Sequence, residues 1–187
     1  MPHVIFVCTG NICRSPYAEA LARHLSDDTD TTWGFSSAGT GALVDSPADP
    51  LMAAEVEQRG ASLADFRSRQ FVPAMASSAD LILTMEARQR LWVMEESPAL
   101  MRRTFVLAQF VEEAGRHEGL GGRELIDAVV ATRPRVLPEH DVPDPYRRGP
   151  EVAADTAQIL TALVSSLVAG LRRPPAARRP AAGCRGR

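Results

Sequence analysis

The apolar run Val4-Ile5-Phe6-Val7 passes directly into Cys8-Thr9-Gly10-Asn11-Ile12-Cys13-Arg14-Ser15-Pro16 and from there into Tyr17-Ala18-Glu19-Ala20-Leu21-Ala22. An unbroken β-rich apolar run is the pattern of a strand buried on both faces, as in parallel sheets covered by helices. Pro16 suits the first turn of a helix, where its missing N–H leaves nothing unpaired, and Glu19 is placed to complement the positive end of the helix dipole. Strand, tight loop and helix in this order point to an α/β fold. The alternation recurs. Trp33 to Ser37 reads as a strand, followed by the Gly-rich Ala38-Gly39-Thr40-Gly41 and by a helix from Pro50 to Arg59 that Gly60 stops. Asp80 to Met85 is a third strand with its helix from Glu86 to Glu95, and Thr104 to Leu107 a fourth. A closing helix runs from Val152 to Leu171, and Arg123 to Ala131 is an extra helix within the less regular stretch 112–142. The expectation is a three-layer sandwich: a four-stranded parallel sheet flanked by helices on both faces, with a phosphate-binding loop after strand 1.

At 187 residues the chain has room for one domain, here 1–171, and a tail, 172–187. All 21 basic residues are Arg, and six of them lie between Arg172 and Arg187 with no acid among them. That leaves fifteen against 23 acids, a body of net charge about −8. The tail has no large apolar residue and is expected to be disordered. No stretch reaches the roughly 18 consecutive apolar residues of a membrane span, and no basic start precedes the first apolar run, so neither insertion nor a secretory signal is expected. Three cysteines, an odd number, suit a reducing, cytoplasmic compartment. Cys8 and Cys13 lack the close spacing of zinc ligands and the four histidines are scattered, so neither a metal nor another cofactor is expected.

The segment from Cys8 to Ser15 lies where open α/β sheets place ligands, at the carboxyl end of the first strand and the amino end of a helix. A loop of this length can turn successive backbone N–H groups into one concavity that holds a tetrahedral oxyanion. Gly10 is expected to relieve the backbone where a side chain would obstruct the curl, and Asn11 to accept a left-handed turn. Arg14 can grip two phosphate oxygens as a fork. Cys8 at the floor lies in the same positive field and is the candidate nucleophile. Ester cleavage also needs an acid for the departing oxygen. Asp-Pro occurs twice, and Asp49-Pro50 reads as a helix start. Asp144, in the stiff loop Val142-Pro143-Asp144-Pro145-Tyr146, is the candidate general acid and, later, the base.

Cys8 to Pro16 after a strand, Ser37-Ala38-Gly39-Thr40 in the middle and Asp144-Pro145-Tyr146 near the end together resemble the low-molecular-weight protein tyrosine phosphatases. The resemblance covers about residues 3–170, in the family's order. It implies a phosphocysteine on Cys8, phosphate held by Arg14 and the loop Thr9-Gly10-Asn11-Ile12-Cys13, and a hydroxyl from Ser15 to the thiolate. It further implies that Asn11 braces the loop with Ser37 beside it and that Asp144 is acid and base. Cys13 is implied as a redox guard that captures the oxidised nucleophile, although packing is its plainer reading. Gly41 to Val44, Asp80 to Glu86 and Pro143 to Arg147 are similar to the bacterial branch linked to exopolysaccharide and capsule export. That similarity implies a phosphotyrosine protein as partner, such as an autophosphorylating tyrosine kinase, met by a monomeric enzyme without nucleic acid. The chain departs from the pattern in three places. Leu43 stands where many members have Trp or Tyr on the pocket rim, so the wall is Ile12, Leu43 and Tyr146. Phe66 stands in place of a His ahead of Arg67-Ser68-Arg69-Gln70, which removes a member of the supporting polar network, and the 112–142 segment is longer.

Two other activities resemble this one. Protein arginine phosphatases look the same except for a Thr at the position of Ile12, and the bulk of Ile12 favours a flat phenol over a guanidinium. Arsenate reductases of this fold relay oxidation through a further Cys pair, and here nothing lies between Cys13 and Cys184. A binding module that has lost turnover is the non-enzymatic alternative, and the presence of Cys8, Arg14 and Asp144 together speaks against it.

Overall fold

A computed structural model describes residues 1–27 and 33–172. Apart from Arg172, the expected tail lies outside the described residues, as does Cys184. The elements follow in the order β1 (His3–Cys8), α1 (Arg14–Asp27), β2 (Gly34–Gly39), α2 (Pro50–Glu57), α3 (Pro73–Ala76), β3 (Leu81–Thr84), α4 (Ala87–Glu96), β4 (Thr104–Val106), α5 (Leu107–Ala114), α6 (Gly122–Thr132) and α7 (Pro150–Leu171). Short 3-10 turns precede β4 and lie at Pro138–His140. The four strands form one parallel sheet in the order β2-β1-β3-β4, with Val4 opposite Phe35 on one side and Leu81 on the other.

Alternation along β1 explains why its apolar run is unbroken. Val4, Phe6 and Cys8 face a large core with α1, α2, α5, α6 and α7, and Ile5 and Val7 face a smaller one with Ala76 of α3 and Val93 of α4. Each of the fully buried Val, Ile and Phe side chains among these contributes about 1.5–3 kcal/mol of hydrophobic free energy. Phe6 and Phe35 stack across the strand pair at 6.2 Å. α7 is 22 residues long and apolar enough by composition to cross a bilayer, but its stripe Ala153, Ala157, Leu160, Val164, Leu167 and Leu171 is buried in the larger core. It packs on α1 and α2 as a core helix.

The helix start read at Asp49-Pro50 is present: the Asp49 carboxylate accepts from the N–H groups of Leu51 (3.0 Å) and Met52 (3.2 Å). Three expectations need correction. Leu107 does not end the fourth strand but opens α5, because Gln109 reaches back to cap Val106 N–H at 3.1 Å. Glu19 is not in the first turn of α1; it lies a turn further on, buried, with its carboxylate used by Ser37 and Arg23. Gly10 is not forced by crowding, since a Cβ there would meet only Ile12 Cγ1 at an ordinary 3.6 Å. The glycine required by close approach is Gly39, where a Cβ would lie 2.4 Å from the Thr9 carbonyl oxygen.

Candidate active site

The loop from β1 to α1 reverses because Asn11 adopts φ +53°, a left-handed conformation that Asn tolerates better than most residues. Asn11 is wholly buried, and its amide is fixed at both ends. The Arg69 backbone N–H donates to Oδ1 at 2.8 Å, so Nδ2 faces the hydroxyls of Ser15 and Ser37, each at 2.9 Å. Ser37 in turn donates a hydrogen bond to Glu19 Oε2 at 2.6 Å. Ser15 Oγ accepts from Asn11 and therefore has its proton to give; Cys8 Sγ lies at 3.0 Å, closer than the competing Ala38 carbonyl at 3.4 Å. The backbone N–H of Asn11 also points at Cys8 Sγ, at 3.3 Å. Two donors thus converge on one buried sulfur. Phe66, where the resemblance implies a His, packs against the larger core instead of joining the polar network around Asn11.

Arg14 is 1% exposed. Its Nη1 donates to Glu86 Oε1 and to the Val142 carbonyl at 2.9 Å, and Nη2 meets Asp144 Oδ2 at 2.9 Å. Nε is buried and has no partner among the described residues. Nε and Nη2 share one edge of the guanidinium, the edge that forms two parallel hydrogen bonds to an oxyanion. Glu86 is held by Arg88 as well as Arg14; the two guanidinium groups outweigh its burial and keep its carboxyl below the usual range. Gln89 ties this group to the loop, donating to Thr9 Oγ1 at 3.1 Å and to Glu86 Oε1 at 3.0 Å.

A pocket of about 210 Å³ opens over these groups. It brings together Cys8, Thr9, Gly10, Ile12, Cys13 and Arg14 from the loop, Leu43 and Gly41 from the segment after β2, and Asp144 and Tyr146 from the segment before α7. Asn11, Ser15 and Ser37 stand behind the loop rather than in the pocket. Leu43 is 46% and Tyr146 38% exposed, so the wall they form with Ile12 is an open apolar slot. Burial, reinforced by the charges of Asp49, Cys8 and Asp144, pushes the Cys13 thiol well up. Cys13 accordingly stays a neutral thiol. Glu86, Gln89, Glu19 and Arg69 were not anticipated as members of the site. Their signal is spatial, because Glu86 reaches Arg14 across 72 positions of sequence.

Fold and pocket together define a class, the phosphoric monoester hydrolases that cradle phosphate between the first parallel strand and its helix. The family model described as low molecular weight phosphotyrosine protein phosphatase matches residues 3–120, and the chain belongs to that family. Among its relatives, the Escherichia coli low molecular weight protein-tyrosine-phosphatase Etp is 36% identical over 110 residues, 59% of this chain and 72% of the relative. Among solved structures, the low molecular weight protein tyrosine phosphatase of T. tengcongensis superposes with a TM-score of 0.72 at 28% identity, covering 90% of this chain and 99% of that one. The YwlE arginine phosphatase of Geobacillus stearothermophilus gives a TM-score of 0.70 at 27% identity, covering 91% and 93%. The expected fold class, family and hydrolase activity are therefore met.

Proposed function

We propose that the chain hydrolyses phosphotyrosine in protein through a phosphocysteine on Cys8, with Asp144 as general acid and then base. The observation that carries this reading is the Arg14 guanidinium: among the described residues its buried Nε lacks an acceptor and its neighbouring Nη2 holds only the carboxylate of the candidate acid. A phosphate dianion on that edge satisfies Nε, displaces Asp144 from Nη2 and lies over Cys8 Sγ. The sulfur attacks phosphorus and the P–O bond to the phenol breaks as Asp144 hands its proton to the leaving oxygen. Asp144, now ionised, takes a proton from the water that attacks the phosphocysteine, which releases phosphate and returns the thiolate. Charge building on the equatorial oxygens is met by Arg14 and the loop N–H groups. Ser15 and Asn11 hold the sulfur as the departing anion of the second step.

The apolar slot of Ile12, Leu43 and Tyr146 suits the flat phenyl ring. The similarity to YwlE favours phosphoarginine as the second reading. The physiological partner we infer is an autophosphorylating tyrosine kinase of polysaccharide export. The resemblance of Gly41 to Val44, Asp80 to Glu86 and Pro143 to Arg147 to the exopolysaccharide and capsule branch supports this, and the free thiols of Cys8 and Cys13 suit the cytoplasm. Para-nitrophenyl phosphate tests the chemistry: reduced protein turns it over and Cys8→Ser does not, whereas Asp144→Ala loses turnover far more than phosphate affinity. No turnover by reduced wild-type protein overturns the reading.

A further inference from the structure

A second pocket, of about 160 Å³, lies beside the edge strand β4, between α4 and the carboxyl end of α6. Arg90, Arg102 and Arg133 line it over an apolar floor of Phe105, Val130 and Pro134. No carboxylate among the described residues lines it, in a chain whose acids outnumber its bases. Arg90 is half-buried, and its Nε donates to the Thr104 carbonyl at 2.8 Å, which fixes the plane of the guanidinium. Neither of its Nη groups has an acceptor among the described residues, and burial pulls its pKa down with no acid nearby to offset the cost. Arg133 ends α6 at φ +48°, a left-handed cap where Gly or Asn is usual. The following residue is held in place, because Pro134 O accepts from Gln109 Nε2 at 2.5 Å. Strain of this kind persists where the surroundings over-determine the backbone and is frequent at ligand sites. Three arginines thus line one small concavity, and the half-buried Arg90 keeps donors there that an anion can take.

We propose that this pocket is a second binding site, separate from the catalytic one, for a small aromatic oxyanion, a carboxylate or phosphate on a single ring. The size fits: drug-sized ligands occupy about 300–1,000 Å³, and this pocket takes one ring on Phe105 and Val130 with its charged group among the arginines. Val130, Arg133 and Pro134, three of its seven lining residues, belong to the 112–142 segment.

Amide chemical-shift titration of the reduced full chain with benzoate tests the site. Saturable shifts are expected at Arg90, Arg102, Phe105, Val130 and Arg133. The double substitution Arg102→Gln/Arg133→Gln should weaken benzoate at least about tenfold, the loss expected when charge-assisted hydrogen bonds are removed. Its hydrolysis of para-nitrophenyl phosphate should equal that of the unsubstituted chain. Inorganic phosphate, lacking the ring, should bind there more weakly than benzoate. Shifts confined to residues 8–15, equal affinity in the double variant, or phosphate as tight as benzoate each overturn the proposal. Should the double variant lose its native amide dispersion, Arg102→Gln alone is read in the same way, since Arg102 is exposed. Phosphatase activity is read separately, so failure of this site leaves the catalytic reading intact and the reverse also holds.

Discussion

Replacing Asn11 by Ala probes the brace under the catalytic loop. The substitution removes two donated hydrogen bonds, to Ser15 and Ser37, and one accepted from Arg69 N–H. At about 1 kcal/mol each in net stability, these amount to about 3 kcal/mol. Ala at φ +53° adds about 1 kcal/mol of backbone cost that Asn largely escapes. The total, about 4 kcal/mol, corresponds to a fall of about 8–16 °C in melting temperature for a domain of this size. Asn11→Gly removes the same hydrogen bonds but accepts the left-handed turn, so it should lie about 1 kcal/mol closer to wild type. Activity separates the brace from mere stability. Without Nδ2 the Ser15 hydroxyl is free to turn away from Cys8, so kcat should fall in both variants even at temperatures where they remain folded. Calorimetric melting and steady-state kinetics on the three proteins decide the matter. A loss under about 1 kcal/mol for Asn11→Ala, or a Gly variant less stable than the Ala variant, refutes the reasoning.

Other substitutions and conditions have defined outcomes. Because Arg88 and Arg14 hold the folded Glu86 carboxyl below its ordinary value of about 4.5, the stability it contributes is complete above that value and is lost as pH falls through the lower folded one. The stability difference between wild type and Glu86→Gln should therefore shrink on acidification below pH 4.5, and a difference constant from neutral to strongly acid pH contradicts the pairing. Cys13→Ala should leave turnover intact but lose recovery by reductant after peroxide, whereas equal recovery assigns Cys13 to packing alone. Ile12→Thr should raise phosphoarginine turnover relative to phosphotyrosine, and an unchanged ratio removes Ile12 from the choice of substrate.

What was legible in the sequence is local. The run Val4 to Val7 with the loop to Pro16 placed β1, the cradle and α1, because burial on both faces and a proline in the first turn leave their mark in adjacent residues. Asp49 and Gly60 marked the ends of a helix by the same means, the latter at φ +84°. α5 was missed because Thr104 to Leu107 looks like one apolar strand, and the residue that turns it into a helix, Gln109, acts by a side-chain cap. The second half of the site was illegible for a related reason. Glu86, Gln89 and the Val142 carbonyl serve Arg14 and Thr9 only once β3 lies beside β1. Glu19 reads as a dipole partner in one dimension; in three it is the acceptor that ends the chain from Asn11 through Ser37.

The central claim is covalent chemistry at Cys8, and trapping it is the most direct test. Asp144→Ala slows hydrolysis of the phosphocysteine by removing the base, while an aryl phosphate with a good leaving group still loads the sulfur. Acid-quenched reaction mixtures examined by intact mass and peptide mapping should show one phosphoryl group per chain, on the Cys8 peptide, and none when Cys8→Ala is combined with Asp144→Ala. An aryl phosphate turned over with no adduct at any quench time, or a phosphoryl group mapped to another residue, contradicts the account.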